Sequence, residues 1–114
     1  MDTHVPNDNR LFERFPARFP ARFHDTDSAY GADVLLRDAS GSGLRIATRQ
    51  KLLLDDRLSL EVELPDGKDA VVLSGRVRWI HNTSPQLAEA GIELHKVSFM
   101  RMHRLVKYSI ETAA

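Results

Sequence analysis

Apolar and polar residues alternate along much of the chain between residues 21 and 94. The clearest stretch is 58–64, where four aliphatic residues alternate with three polar ones. Alternation with period two gives a strand one apolar face. We therefore predict six strands, at residues 21–24, 32–37, 44–48, 58–64, 71–80 and 90–94. Within the fifth strand the alternation shifts near Gly75, which predicts a β-bulge there.

The last part of the chain has a different period. Apolar or small side chains recur at helical spacing from Phe99 to Ile110. This pattern predicts an amphipathic helix over residues 98–112, with Ser98 as its N-cap. Six short strands followed by one helix predict a mainly β fold, an antiparallel barrel closed or plugged by the helix.

The N-terminal region has no strand alternation. Residues 1–9 are polar, and we expect a disordered tail. Pro16 and Pro20 exclude a regular helix interior and favour extended geometry in the phenylalanine before each. The prediction is a flexible, extended arm at residues 10–20, a barrel at 21–97 and the helix after it, all in one domain (10–114).

Composition narrows the class of protein. A chain of 114 residues fits one domain, and 16 basic residues balance 16 acidic ones. Cysteine is absent, so thiolate metal sites and disulfides are excluded. No apolar run reaches the roughly 20 residues that span a bilayer, and the N-terminus lacks a signal-peptide pattern. We expect a cytoplasmic protein without membrane insertion.

The balanced total hides a cationic arm. Arg10, Arg14, Arg18 and Arg22 recur every fourth residue, and only Glu13 opposes them within 10–22. Arginines four apart lie on one side of an extended chain. A guanidinium matches a phosphate bidentately and also binds the O6/N7 edge of guanine. The alternative is a basic tail that only improves solubility.

A second polar segment, 38–43, is predicted as a tight loop between two strands. Asp38 can accept hydrogen bonds from the N1–H and N2–H₂ groups of guanine, and Ser40 can donate and accept. Gly41 and Gly43 allow positive φ and close approach of a ligand to the backbone. The alternative is an ordinary hairpin in which Asp38 caps its own turn.

Taken together in this order, these segments resemble the PilZ domain family. Arg14-Phe-Pro-Ala-Arg18 matches the family's Arg-x-x-x-Arg motif, and Asp38-Ala-Ser40-Gly-Ser-Gly43 matches its Asp/Asn-x-Ser-x-x-Gly motif. The stretches 77–79 and 91–94 are similar to later strands of the family. The resemblance runs from about Arg14 to the C-terminal helix.

The resemblance implies a six-stranded antiparallel barrel that binds cyclic di-GMP, a bacterial second messenger. Arginines of the arm would contact phosphate and guanine, and Asp38 and Ser40 would contact a guanine edge. Binding would order the arm over the barrel and pass the signal to a downstream effector protein. No cofactor other than this ligand is implied.

The arginine motif has two possible registers. Arg14/Arg18 is favoured over Arg18/Arg22, because the family's spacing to the second motif is nearer twenty residues than sixteen. Family members that bind a stacked ligand dimer tend to carry another arginine where this chain has Glu13. The resemblance therefore implies one ligand molecule per site or weaker affinity, with Arg10 able to compensate.

Two further residues are candidates for the same site. Trp79 is the single tryptophan and can stack on a base, the alternative being a place in the barrel core. Arg45 is a candidate for the same face of the barrel.

Three functions remain in order of preference: a cyclic di-GMP receptor, a ligand-independent interaction module related to pili or motility, and a single-stranded nucleic-acid binder. No DNA binding is expected. We expect no catalysis and no metal site, because no catalytic or metal-ligand spacing is present. We also expect a monomer or weak dimer.

Overall fold

The computed structural model describes residues 13–97 and 99–113, with side chains described for 13–97 and 100–109. Within those residues the chain forms seven strands and one helix. They are β1 (Phe15–Pro16), β2 (Pro20–Phe23), β3 (Val34–Ala39), β4 (Gly43–Thr48), β5 (Arg57–Val62), β6 (Val71–Ser84), β7 (Leu87–Leu94) and α1 (Phe99–Ala113).

Six of the strands close into a barrel. The order is β3-β2-β5-β6-β7-β4, and β4 pairs back with β3, every pair being antiparallel. Closure leaves no open edge around the ring itself. The predicted fold, a mainly β six-stranded barrel followed by a helix, is confirmed. The short strand β1 is an addition that pairs with the C-terminal half of β3.

The six predicted strands are present, with ends shifted by up to four residues; the largest shift extends β6 from residue 80 to Ser84. β3 continues through Asp38 to Ala39, so the loop predicted at 38–43 shrinks to residues 40–42. The bulge predicted near Gly75 lies two residues further on, because the β6–β7 register shifts between Val77 and Trp79, and it shifts again between Asn82 and Ser84. Gly75 stays in regular pairing, and its small size serves packing, since a Cβ there would lie 2.3 Å from the carbonyl oxygen of Glu93.

The core lies inside the barrel and under α1. Leu36, Ile46 and Leu60 are fully buried on the inner face. Met102 and Leu105 of α1 are 1% and 0% exposed and belong to the same cluster. The helix thus closes the core, as the helical spacing predicts.

The helix also touches the N-terminal strand directly, because the Ser109 hydroxyl donates to the carbonyl of Pro16. Its observed bounds differ by one residue at each end from the predicted 98–112. The predicted cap Ser98, the tail at 1–9 and the first three residues of the arm lie outside the described residues. Among the residues described, no helix is long and apolar enough to cross a membrane.

Candidate functional site

The pairing of β1 with β3 joins the arginine arm to the second polar segment. In the register of this pair, Phe15 is opposite Ala39 and Pro16 is opposite Asp38. Nη1 of Arg14 donates to Oδ1 of Asp38 at 2.5 Å. Two motifs separated by 24 residues in sequence therefore meet in one ion pair.

Asp38 holds a second guanidinium from the neighbouring strand. Asp38 is opposite Arg45 in the β3–β4 pair, and Nε and Nη2 of Arg45 both lie 2.7 Å from Oδ2 of Asp38. Nη1 of Arg45 also lies 3.3 Å from a carboxylate oxygen of Glu89 on β7. The hydrogen bond to Asp38, more than the charge of Glu89, raises the pKa of Arg45 above its ordinary value.

The side chains of Arg14, Asp38 and Arg45 differ in solvent exposure. The side chain of Asp38 is 11% exposed, whereas that of Arg14 is 67% exposed and that of Arg45 is 33% exposed. An ion pair with one strongly exposed partner contributes only about 0–1 kcal/mol. Arg14 can therefore leave Asp38 for another acceptor at small cost.

Ser40, not Asp38, caps the β3–β4 hairpin. The Ser40 amide donates to the carbonyl of Gly43 at 2.8 Å, and the Gly43 amide donates to Oγ of Ser40 at 3.2 Å. Asp38 lies on the strand before the turn, so the alternative in which it caps its own turn is wrong. Its carboxylate is left for the two arginines.

The glycines of this hairpin serve packing. Positive φ among the described glycines occurs at Gly31 and Gly67, and not at Gly41 or Gly43. A Cβ on Gly43 would meet the carbonyl oxygen of Ile92 at 2.9 Å. Gly43 thus lets β7 approach β4 closely, which is a different reason for glycine from the one that the sequence suggests.

Arg14 and Arg18 are both exposed. Ala17 and Phe19, on either side of Arg18, are buried. Within the part of the chain that the structure describes, the Arg18 guanidinium has no ion-pair partner. This leaves a cation of the arm available to an anion from outside the chain.

Arg22 belongs to a different cluster. It lies on β2, where its Nε donates to Glu61 of β5 at 2.9 Å and its guanidinium stacks 4.5 Å from the ring centre of Tyr30. His24 and the Tyr30 hydroxyl also hydrogen-bond Glu61, at 2.7 and 3.0 Å. The Arg22 bond, then the His24 and Tyr30 bonds, lower the pKa of Glu61 from 4.5 to about 2.

Trp79 lies on the outside of the barrel. It is 42% exposed, so the alternative of a core residue is wrong. The indole covers Gly91: a Cβ built on Gly91 would lie 2.0 Å from Nε1 of Trp79. Gly91 is opposite both Trp79 and Arg45, so one cross-strand row runs from Asp38 through Arg45 and Gly91 to the indole.

The structure thus brings together Arg14, Asp38 and Arg45. The Ser40–Gly43 turn follows Asp38 closely in the chain, and Trp79 lies in the same cross-strand row. The structure does not bring Arg22 to Asp38, and Arg10 lies outside the described residues. The sequence analysis did not select two residues of this surface, Glu89 and Gly91. The alternation along β7 carried a signal for both, since Glu89 and Gly91 are two apart on one strand face.

Comparison with known proteins agrees with the fold. A model of the PilZ domain matches residues 8–111. Among solved structures, the Bacillus subtilis inhibitor of motility (MotI/DgrA) is similar at 15% identity and a TM-score of 0.61. The likeness covers 96% of this chain and 52% of that protein, so this chain spans about half its length. No curated protein matches this sequence.

Proposed function

The chain belongs to the PilZ domain family, and we propose that it is a receptor or adaptor for cyclic di-GMP. Family membership supports a binding domain rather than an enzyme. The name of the similar structure, an inhibitor of motility, is in keeping with signalling, although a likeness at 15% identity concerns the fold alone.

The observation that carries the proposal is the meeting of the two motifs at Asp38. A cyclic dinucleotide presents phosphates to cations and guanine edges to acceptors. Arg14 and Arg18 supply two exposed cations on the arm, and Asp38 supplies a largely buried carboxylate in contact with Arg14. These are the complementary groups for such a ligand, and they lie on adjoining chain segments.

We expect binding to exchange partners within this network. The N1–H and N2–H₂ donors of guanine would take Oδ1 of Asp38 from Arg14, which then turns to a phosphate together with Arg18. Arg45 would stay on Oδ2 of Asp38 and hold the carboxylate in its orientation. The low cost of releasing the exposed Arg14 favours this exchange.

The outer row offers a second contact. The indole of Trp79 lies over Gly91, one position beyond Arg45 in the cross-strand row. A guanine or the Arg45 guanidinium could stack against its exposed face. Ser40, which already binds its own turn, would add a hydroxyl at the edge of the base, and Gly43 would keep the turn close to β7.

Isothermal calorimetry with cyclic di-GMP, and with GMP as the control ligand, tests the proposal. We expect micromolar or tighter binding, about −8 kcal/mol or better. The expected stoichiometry is one ligand per chain, because Glu13 opposes a second anion. Arg18→Ala and Asp38→Ala should each weaken binding at least tenfold, whereas Arg57→Ala, on the opposite wall, should bind as the wild type does.

Absence of heat at high ligand concentration, with a folded protein, would contradict the proposal and leave the ligand-independent interaction module. The register has its own test in the same assay. Loss of binding in Arg14→Ala with retention in Arg22→Ala agrees with the Arg14/Arg18 register. The opposite pair of results would favour Arg18/Arg22.

A further inference from the structure

The long hairpin of β6 and β7 leaves part of one strand without a neighbour. β6 runs from Val71 to Ser84, but β5 pairs only with residues 71–76. Val77 still exchanges backbone hydrogen bonds with Asp55 and Asp56. Beyond it, residues 78–84 pair with β7 alone among the described strands. The barrel is closed, yet this extension has a free edge.

A groove runs along that edge. Its far wall is the loop that leads into β5, and its near wall is β6 with the start of β7. Two adjoining cavities, of about 650 and 490 Å³, share Gln50, Lys51, Asn82 and Ala88 and so form one continuous groove. Among described residues, no backbone hydrogen bond links the loop at 49–54 to β6 residues 78–84.

The groove has unusually apolar walls for a surface. Leu53 and Leu54 are each 61% exposed, Trp79 is 42% exposed and Leu87 is 41% exposed. Isolated exposed leucines are ordinary, but these four border one groove. Clusters of this kind on a soluble domain mark surfaces that another molecule covers.

The charge along the groove has one sign. Its lining residues include Arg49, Lys51 and Arg78 and no aspartate or glutamate. In the chain as a whole, 16 basic residues balance 16 acidic ones, so this surface is locally cationic. Two carboxylates lie beside the groove without lining it. That of Asp56 accepts from the Leu53 amide at 2.9 Å, and that of Glu93 lies 3.9 Å from Arg78 with both side chains half exposed, a pair that contributes little.

We propose that the free edge of β6 binds an extended, acidic segment of a partner protein by β-strand addition. Such a segment would donate and accept backbone hydrogen bonds along residues 78–84. Apolar side chains on one of its faces would contact Leu53 and Leu54, and its acidic residues would meet Lys51 and Arg78.

The charge argues against a second copy of this chain as the occupant. Two β6 edges paired with each other would bring Arg49, Lys51 and Arg78 of both copies into one interface. Like charges in direct opposition across a strand pair are destabilising. An acidic partner removes that repulsion and is the occupant that the groove favours. The inference goes beyond ligand binding and does not depend on it.

The test uses the full chain without cyclic di-GMP and a synthetic probe. The probe is an acetylated, amidated octapeptide of alternating Glu and Val. One control peptide carries Lys in place of Glu, and another is N-methylated on alternate residues, which removes the donors of one edge. Amide shifts and hydrogen exchange report the binding position.

We expect the acidic peptide to shift and protect amides within 78–84. Both control peptides should bind at least tenfold more weakly. Arg78→Glu should weaken the acidic peptide about tenfold, whereas Lys68→Glu, an equal charge change on an exposed turn, should not. If Arg78→Glu fails to fold, the N-methylated peptide still separates a strand ladder from simple charge attraction.

Three results would overturn the proposal. One is equal binding of the acidic and N-methylated peptides, and another is a set of shifts away from 78–84 or none at millimolar peptide. The third is a concentration-dependent dimer by sedimentation that protects the same amides, since a second copy would then occupy the edge. Because no cyclic di-GMP is present, none of these results bears on the ligand proposal.

Discussion

Because Trp79 packs over Gly91, we predict that Gly91→Ala destabilises the protein, although replacing a strand glycine by alanine usually stabilises. Glycine inside a strand is less favourable than alanine by about 0.5–1 kcal/mol. On that ground alone Gly91→Ala should stabilise the barrel. The new Cβ, however, would lie 2.0 Å from Nε1 and 2.4 Å from Cε2 of the indole, so the ring must leave its place.

The cost follows from the area that the ring loses. Trp79 is 42% exposed, so more than half of its surface is covered. Buried tryptophans cover 150–250 Å², which makes the area at stake about 100 Å². At about 25 cal/mol per Å², returning it to water costs up to ~2.5 kcal/mol. After the gain from alanine, Gly91→Ala should destabilise the protein by roughly 1–2 kcal/mol.

A double-mutant cycle isolates this effect. In a Trp79→Ala background the ring is absent, and Gly91→Ala should then stabilise by about 0.5–1 kcal/mol. The coupling between the two positions should be about 1.5–2.5 kcal/mol, measured by urea unfolding of all four proteins. Trp79 is the only tryptophan, so Gly91→Ala should also shift the fluorescence emission to the red.

The reasoning would be refuted if Gly91→Ala stabilised both backgrounds equally and left the emission unchanged. The same fluorescence signal connects the cycle to the proposed site. If a base stacks on this indole, cyclic di-GMP should quench the emission of the wild type and should quench it much less in Gly91→Ala.

Three further predictions concern the barrel. Glu61 has a pKa of about 2 against an ordinary 4.5, so its stabilising contribution is present above pH 4.5 and is lost as the pH falls towards 2. The urea midpoint of the wild type should therefore exceed that of Glu61→Gln at pH 6, and the two should converge near pH 2; a constant difference would contradict this. Gly43→Ala should cost about 1–3 kcal/mol by thermal unfolding, because its Cβ would meet the backbone oxygen of Ile92 at 2.9 Å. Leu36→Ala, fully buried, should cost about 2–5 kcal/mol in urea, whereas Leu35→Ala, 42% exposed, should cost under about 1 kcal/mol; equal costs would show that the strand faces are assigned wrongly.

Much of the barrel was predictable because a strand buried on one face alternates apolar and polar residues along the sequence. The alternation at 58–64 located β5, and the helical spacing after Phe99 located α1. The ends of strands were less predictable. β3 was predicted to stop before Asp38, since a charged residue in a polar, glycine-rich run reads as loop. Two arginines from other segments compensate that charge, and no local pattern reports them.

The candidate site, too, was predictable in part from the sequence. The residues Arg14, Arg18, Asp38 and Ser40 could be selected from their types and spacing, together with the family resemblance. Their individual contacts could not, because these depend on which strands are neighbours. The same tertiary pairing separates Arg22, which meets Glu61 on β5, from Arg14, which meets Asp38 on β3.

The sequence by itself determined the class of fold, the positions of most strands, the extended arm and the chemical types at the candidate site. Those features follow from side-chain period, proline geometry and charge, which are local properties of the chain. The tertiary structure decided which residues meet: β1 beside β3, Trp79 over Gly91, and a free edge on β6. Strand order and register depend on contacts between distant segments, and a local pattern carries no information about a distant partner.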